Sequence, residues 1–184
     1  VYDNACDFSS SIPTVGHVLQ SQGYQTIVSG KLHFIGADQH HGFAERLTAD
    51  IYPTDYSWTP SWGDEQLLSD YFLASASELR DAGIAETSVQ LEFDREVADR
   101  AIEKLMDIGN TKSIDPYCLI ASFTHPHDPF VIPKQYWDRY SDAEIELPKQ
   151  RTFPPEMRDA HSTRLFELYG FDDLSLDCLL YTSP

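Results

Sequence analysis

Tyr117-Cys118-Leu119-Ile120-Ala121-Ser122-Phe123 is a near-continuous apolar run, and Thr124-His125-Pro126-His127-Asp128-Pro129 follows it at once. A run of this length and character is expected of a strand buried on both faces, as in a parallel sheet. The two prolines then force a non-helical path, so the histidines fall in a short loop at a strand end. The same order of events occurs upstream. Ser11 can cap a helix whose first turn takes Pro13, whose face is Val15, Val18 and Leu19, and which Gly23 closes. Tyr24 to Val28 reads as a short strand, and Ser29-Gly30 turns the chain so that Lys31 and His33 project from Gly30-Lys31-Leu32-His33-Phe34. Helix, strand and polar loop in repetition are the grammar of an α/β domain.

Between and beyond these stretches the pattern is plainer. Residues 38–64 are loop-rich and aromatic, with Phe43, Tyr52, Tyr56, Trp58 and Trp62 interleaved with Pro53 and Pro60. Asp94 to Met106 is the clearest helix, with Val97, Ala98, Ala101, Ile102 and Leu105 on one face. Asp107 to Pro116 reads as a connection, Pro133 to Tyr140 as one or two helical turns, and Glu156 to Tyr169 as a further helix.

Composition limits the partners. The chain has 184 residues, enough for one medium domain, and a net charge of −17 from 30 acidic and 13 basic residues. Nucleic acid and anionic membranes reward a basic face and are therefore not expected. An anionic substrate would need a cationic site that is local and set against the global field. No apolar run approaches the ~18 residues of a membrane helix. The cysteines Cys6, Cys118 and Cys178 are odd in number and share no CxxC or metal-type spacing, which fits a cytoplasmic setting, with the periplasm as the alternative. Cys118, inside the apolar run, reads as a buried inert thiol.

The two polar clusters carry the chemistry. In an extended segment Lys31 and His33, two apart, would point to the same side. Lys31 offers a compact charge for an ester oxyanion, and His33, with an ordinary pKa of about 6.5, can donate or shuttle a proton near neutrality. Alone, the segment reads equally well as a solvated surface loop. His125 and His127 are also spaced to face one way, but a zinc site needs a third ligand at recognised spacing. His40-His41 has the same weakness, and a hydrogen-bonded structural role is the commoner fate of an isolated histidine. Together, one ammonium and up to three imidazoles suit a sulfate or phosphate ester.

Taken in order, several stretches resemble the sulfatase family, the choline-sulfatases in particular. They are Tyr2-Asp3-Asn4-Ala5, Gly23-Tyr24-Gln25-Thr26, Ser29 to Phe34, His41-Gly42-Phe43, Glu45-Arg46-Leu47-Thr48, Asp50-Ile51-Tyr52-Pro53, Trp58-Thr59-Pro60, Gln90 to Asp94, Ser122 to Pro129, Tyr136-Trp137, His161-Ser162 and Arg164-Leu165. The resemblance implies an alkaline-phosphatase-like fold, a mixed and largely parallel sheet flanked by helices, present here as a partial domain. It implies that Lys31 and His33 hold the sulfate and the nucleophile's hydroxyl, that His127 contacts sulfate or assists the leaving oxygen, and that His125 supports them from behind. Asn4 would orient the substrate, and Trp58 would offer its ring to a quaternary ammonium. Without the resemblance, Trp58, Trp62 and the nearby tyrosines read as loop-packing residues. One departure leaves the ester open: Leu73 and Ala74 stand where choline-sulfatases tend to carry polar residues.

The family's nucleophile is a formylglycine made from the cysteine of a Cys-x-Pro-Ser-Arg stretch, and none of the three cysteines here is followed by x-Pro. The resemblance implies that this segment, and ligands for a divalent cation (calcium, or manganese or magnesium), lie outside residues 1–184. The expected reading is therefore an internal fragment, inactive alone, with 1–177 part of a catalytic domain of a homo-oligomeric parent acting on a small-molecule sulfate ester. Cys178 to Pro184 resembles the translation of a transposon-type sequencing adapter, as in a metagenomic fragment, or is an ordinary frayed terminus. Two rival readings remain: a related phosphonate or phosphodiester hydrolase, and a non-catalytic module that binds quaternary ammonium through the aromatic segment.

Overall fold

The computed structural model of the protein describes residues 6–54, 77–111, 115–140 and 154–171. In chain order the described elements are α1 (Val15–Ser21), β1 (Gln25–Gly30), β2 (Glu45–Arg46), α2 (Ser77–Arg80), β3 (Gly83–Ile84), α3 (Val89–Thr111), β4 (Tyr117–Ser122), β5 (Val131–Ile132), α4 (Lys134–Trp137), a 3-10 turn at Pro155–Met157 and α5 (Ala160–Tyr169). They fall into two compact units, 1–64 with 89–125, and 65–88 with 126–184.

The first unit is built on a parallel sheet of order β2-β1-β4, with α1 and α3 packed on β1. The α/β class expected from the sequence is what these elements form. Central β1 is buried from Thr26 to Gly30, and Ile27, Val28, Ile35, Phe43, Val97 and Ala101 make the apolar core. Burial of the Ile, Val and Phe side chains among them is worth about 1.5–3 kcal/mol each. The Ser29 hydroxyl donates to the Val97 carbonyl at 3.0 Å, which fixes α3 against the strand.

Several expectations are corrected. The run at 117–123 is not a strand buried on both faces: β4 is only half-buried, and Tyr117 and Phe123 are exposed. Among the described residues it pairs with β1 on one side and with no strand on the other. Helix α1 is capped by Thr14 rather than Ser11, with the Thr14 N–H donating to His17 Nδ1 at 3.1 Å. It faces the core through Gly16, not through Val15 and Val18, which are exposed. An added Cβ at Gly16 would lie 2.5 Å from the Gly42 carbonyl oxygen, so the close approach of these two backbones admits only glycine. Gly23, at φ 83°, follows the C-cap Gln22 as expected.

The helix expected over 94–106 runs from Val89 to Thr111, because no proline interrupts that span and its glycine, Gly109, sits in the last turn. Only Val97 and Ala101 of its apolar face are buried; Ile102, Leu105 and Met106 are exposed. Cys118 is half-buried rather than buried.

In the second unit β3 and β5 pair in parallel through Gly83–Val131 and Ile84–Ile132. Helix α4 lies within the expected 133–140. The helix expected from Glu156 instead begins at Ala160, because the Asp159 side chain accepts the Ser162 N–H at 2.7 Å and caps it there. No described helix is long and apolar enough to cross a membrane.

Candidate active site

Parallel pairing decides where the polar loops emerge. Gly30 and Ser122 share a rung of the β1–β4 ladder, so the loops that follow them leave the same edge of the sheet. Carboxyl ends of parallel strands are where open α/β sheets bind ligands. The Lys31 N–H donates to the Ser122 carbonyl at 3.0 Å, carrying the ladder one residue past the strand. Gly30 permits this: its φ is 112°, and an added Cβ would fall 1.9 Å from the Ser122 oxygen. Its own N–H is taken by the buried Thr48 hydroxyl at 2.8 Å.

Beyond Gly30 the chain is not extended. His33 sits at φ 56°, in the left-handed region, so alternation along a strand does not set the relation between Lys31 and His33. A shared aromatic neighbour does. The Lys31 Nζ lies 4.5 Å from the centre of the Tyr52 ring, and the His33 ring meets Tyr52 edge-on at 6.2 Å between centroids. The two side chains therefore converge, by a route that the local sequence pattern does not contain.

Asp50 holds that loop. Its Oδ2 accepts the backbone N–H groups of Leu32 and His33, each at 2.9 Å, and Arg46 Nη2 at 3.1 Å. The Asp50 carboxylate is fully buried and the Arg46 guanidinium nearly so, at 0% and 7% exposure. Arg46 is itself satisfied, donating to the Thr48 carbonyl at 3.0 Å and to the Gln39 carbonyl and side-chain oxygens at 2.8 and 3.1 Å. Burial pushes the Asp50 carboxyl upward, but the N–H groups of Leu32, His33 and Tyr52 together with Arg46 outweigh it and hold the group below the ordinary aspartate value.

The loop after β4 repeats the device from a different element. Asp94, on α3, accepts the Thr124 N–H through Oδ1 at 2.6 Å and the His125 N–H through Oδ2 at 3.0 Å. Oδ2 also meets His125 Nδ1 at 2.7 Å, which fixes the orientation of the imidazole. Burial raises the Asp94 pKa, and the Thr124 and His125 N–H groups and the His125 ring more than reverse it, so this carboxyl too lies below its ordinary value.

Lys31, His33 and His125 thus stand in the first unit on two loops of one sheet edge. His127 falls in the second unit, is exposed at 46%, and places Nδ1 3.1 Å from the Asp128 carbonyl and against the Asp128 carboxylate, just before the cis Asp128–Pro129 bond. Asn4, Trp58, Leu73, Ala74 and 178–184 lie outside the described residues. His40 and His41 are structural. His40 Nδ1 lies 2.9 Å from the Phe43 carbonyl, and His41 is fully buried against the rings of Phe8 and Phe34, which stack on each other. The residues that sequence reasoning did not assign are Asp50, Asp94, Arg46 and Tyr52. All four stand in stretches that carry the family resemblance, which is the available signal.

Among the described residues no group of three or more His, Cys, Asp or Glu side chains could hold a metal ion. The two carboxylates nearest the strand ends are turned to backbone N–H groups instead. The described residues therefore do not fit a cation centre, and neither cation ligand nor nucleophile is assigned to them.

A family model described as Sulfatase matches residues 7–182. A choline-sulfatase from Rhizobium meliloti (strain 1021) is 45% identical over 168 residues, which cover 90% of this chain and 33% of that protein. An uncharacterized sulfatase, YidJ, of Escherichia coli (strain K12) is 26% identical over 141 residues, 74% of this chain and 27% of that protein. The chain spans a third or less of the length of these curated relatives.

Proposed function

The chain belongs to the sulfatase family, and from that premise we propose that the protein carrying it hydrolyses a sulfuric ester, choline O-sulfate in the first place. The observation that carries this reading is the shared rung of Gly30 and Ser122, which sets the Lys31–His33 loop and the His125 loop at one sheet edge. Hydrolysis adds water across the S–O bond: sulfur gains an oxygen, and the departing alkoxide must gain a proton. The Lys31 ammonium offsets negative charge on the sulfuryl oxygens, where fixed donors act most strongly. His33 donates a hydrogen bond on the same wall, with its ring beside Tyr52. His125, oriented by Asp94, supports them. His127 is assigned to the leaving oxygen by family resemblance, as Asn4 and Trp58 are assigned to the alcohol part of the substrate. In the family a formylglycine and a divalent cation, calcium here by expectation, supply the nucleophile and further charge.

A small-molecule sulfate ester is the partner that the net charge of −17 supports, since the cationic wall is local and the rest of the surface repels polyanions. A cytoplasmic location is proposed, with the periplasm as the alternative. The test is turnover by the full-length gene product of choline O-sulfate and 4-nitrophenyl sulfate, read as sulfate release, and of a phenyl phosphonate ester, read as phenol release. Preferential turnover of choline O-sulfate is expected; preference for the phosphonate would replace this reading with that of a related hydrolase.

A further inference from the structure

The Lys31–His33 loop and the His125 loop are secured in the same way, each by one carboxylate that accepts two consecutive backbone N–H groups. We propose that Asp50 and Asp94 are positioning residues for the hydrolytic site, acting through His33 and His125 respectively. This rests on the reading of those two histidines as site residues.

The geometry separates this role from general stabilisation. Asp50 reaches across 17 residues to bond the N–H of His33, the residue held at φ 56°. Few non-glycine residues stay in that region unless the surroundings over-determine it. One oxygen that takes Leu32 N, His33 N and Arg46 Nη2 does so, and the buried guanidinium keeps the carboxylate in place. Asp94 is fixed differently, by standing on the long helix whose Val97 carbonyl is tied to Ser29 on β1. Its grip includes the His125 ring as well as the backbone, so it sets which face of the imidazole looks outward.

A carboxylate is suited to this because it is an acceptor only when ionised, while asparagine carries one acceptor and two donors. Asp94→Asn has one acceptor oxygen, so it must lose either the bond from Thr124 or at least one of the His125 bonds, and the grip on the loop is broken either way. Both acids are also spent on donors of their own chain, which keeps two negative charges from facing an anionic ester.

The experiment is a pair of double-mutant cycles on the full-length gene product, each variant corrected for its folded fraction. One cycle combines Asp94→Asn with His125→Ala, the other Asp50→Asn with His33→Ala. Each uses the ester that the wild type cleaves fastest among choline O-sulfate, 4-nitrophenyl sulfate and phenyl phosphonate. The expected result is that each Asn variant lowers kcat at least tenfold with KM changed less than about threefold, and that adding it to the histidine variant costs less than about twofold more, as for residues acting through one another. Multiplicative losses would overturn the proposal whichever ester is cleaved. The sulfatase reading, by contrast, fails on the wild type's choice of ester alone. Should Asp50→Asn not fold, Arg46→Lys loosens the same carboxylate and takes its place in the cycle. Hydrogen exchange gives an activity-free readout: peptides spanning 31–34 and 123–126 should exchange faster in the respective variants, and unchanged protection would sink the idea.

Discussion

Asp50 Oδ2 accepts the His33 N–H at 2.9 Å, and His33 stands in the left-handed region at φ 56°. The bend that turns an imidazole toward Tyr52 is thus fixed by a buried carboxylate from a later segment. Local sequence sets the strand; a distant acid sets the direction of the side chain.

The roles proposed for Lys31 and His127 are checked by turnover. In the full-length gene product, Lys31→Ala and His127→Ala are each expected to lower kcat by about 10²-fold or more, the usual cost of removing a charge-stabilising or proton-donating group. Wild-type turnover in either variant would remove that residue from the mechanism.

Gly30→Ala is expected to be severe. The added Cβ would meet the Ser122 oxygen at 1.9 Å, on a residue at φ 112°. Steric relief and backbone strain each cost about 1–3 kcal/mol, so the urea midpoint should drop sharply. An unchanged midpoint would mean that the two strands do not approach as described.

Thr48→Val keeps the side-chain shape and removes the hydroxyl that accepts the Gly30 N–H at 2.8 Å. The stranded buried donor should cost about 1–3 kcal/mol. Chemical denaturation reads the change, and a neutral result would imply another acceptor for that N–H.

Acid should weaken the first unit through Asp50 and Asp94. Both are held below the aspartate value of 3.8, so the folded state binds fewer protons than the unfolded chain near that pH. Their contribution is complete above about pH 4 to 5, shrinks as the pH falls past 3.8, and is gone below the folded-state values. Unfolding midpoints measured from pH 6 down to 3 should fall toward the acid end, and Asp94→Asn should flatten that fall.

The sequence made the skeleton legible where a local pattern suffices. The apolar runs at 24–28 and 117–123 marked β1 and β4, and the 3.6-residue period marked α3. What it could not carry is which strand is central. The apolar run of β4 looks more buried than the mixed Gln25–Gly30 of β1, yet Thr26 and Ser29 are buried because their hydroxyls reach the Gly42 and Val97 carbonyls. Nor could spacing reveal Asp50 and Asp94, whose partners lie 17 and 31 residues away. Both stood in family-like stretches, but with no local reason to single out one acid among 30.

Helix α3 bears two duties three residues apart: Val97 closes the core on β1, and Asp94 holds the His125 ring. At 1.5 Å of rise per residue these duties are separated by about 4.5 Å of one rigid rod. A substitution that repacks the interior at Val97 is therefore expected to shift the His125 ring in the same stroke. Thermostabilising substitutions sought in this helix should be screened for turnover from the outset, because here robustness and reactivity are inherited together.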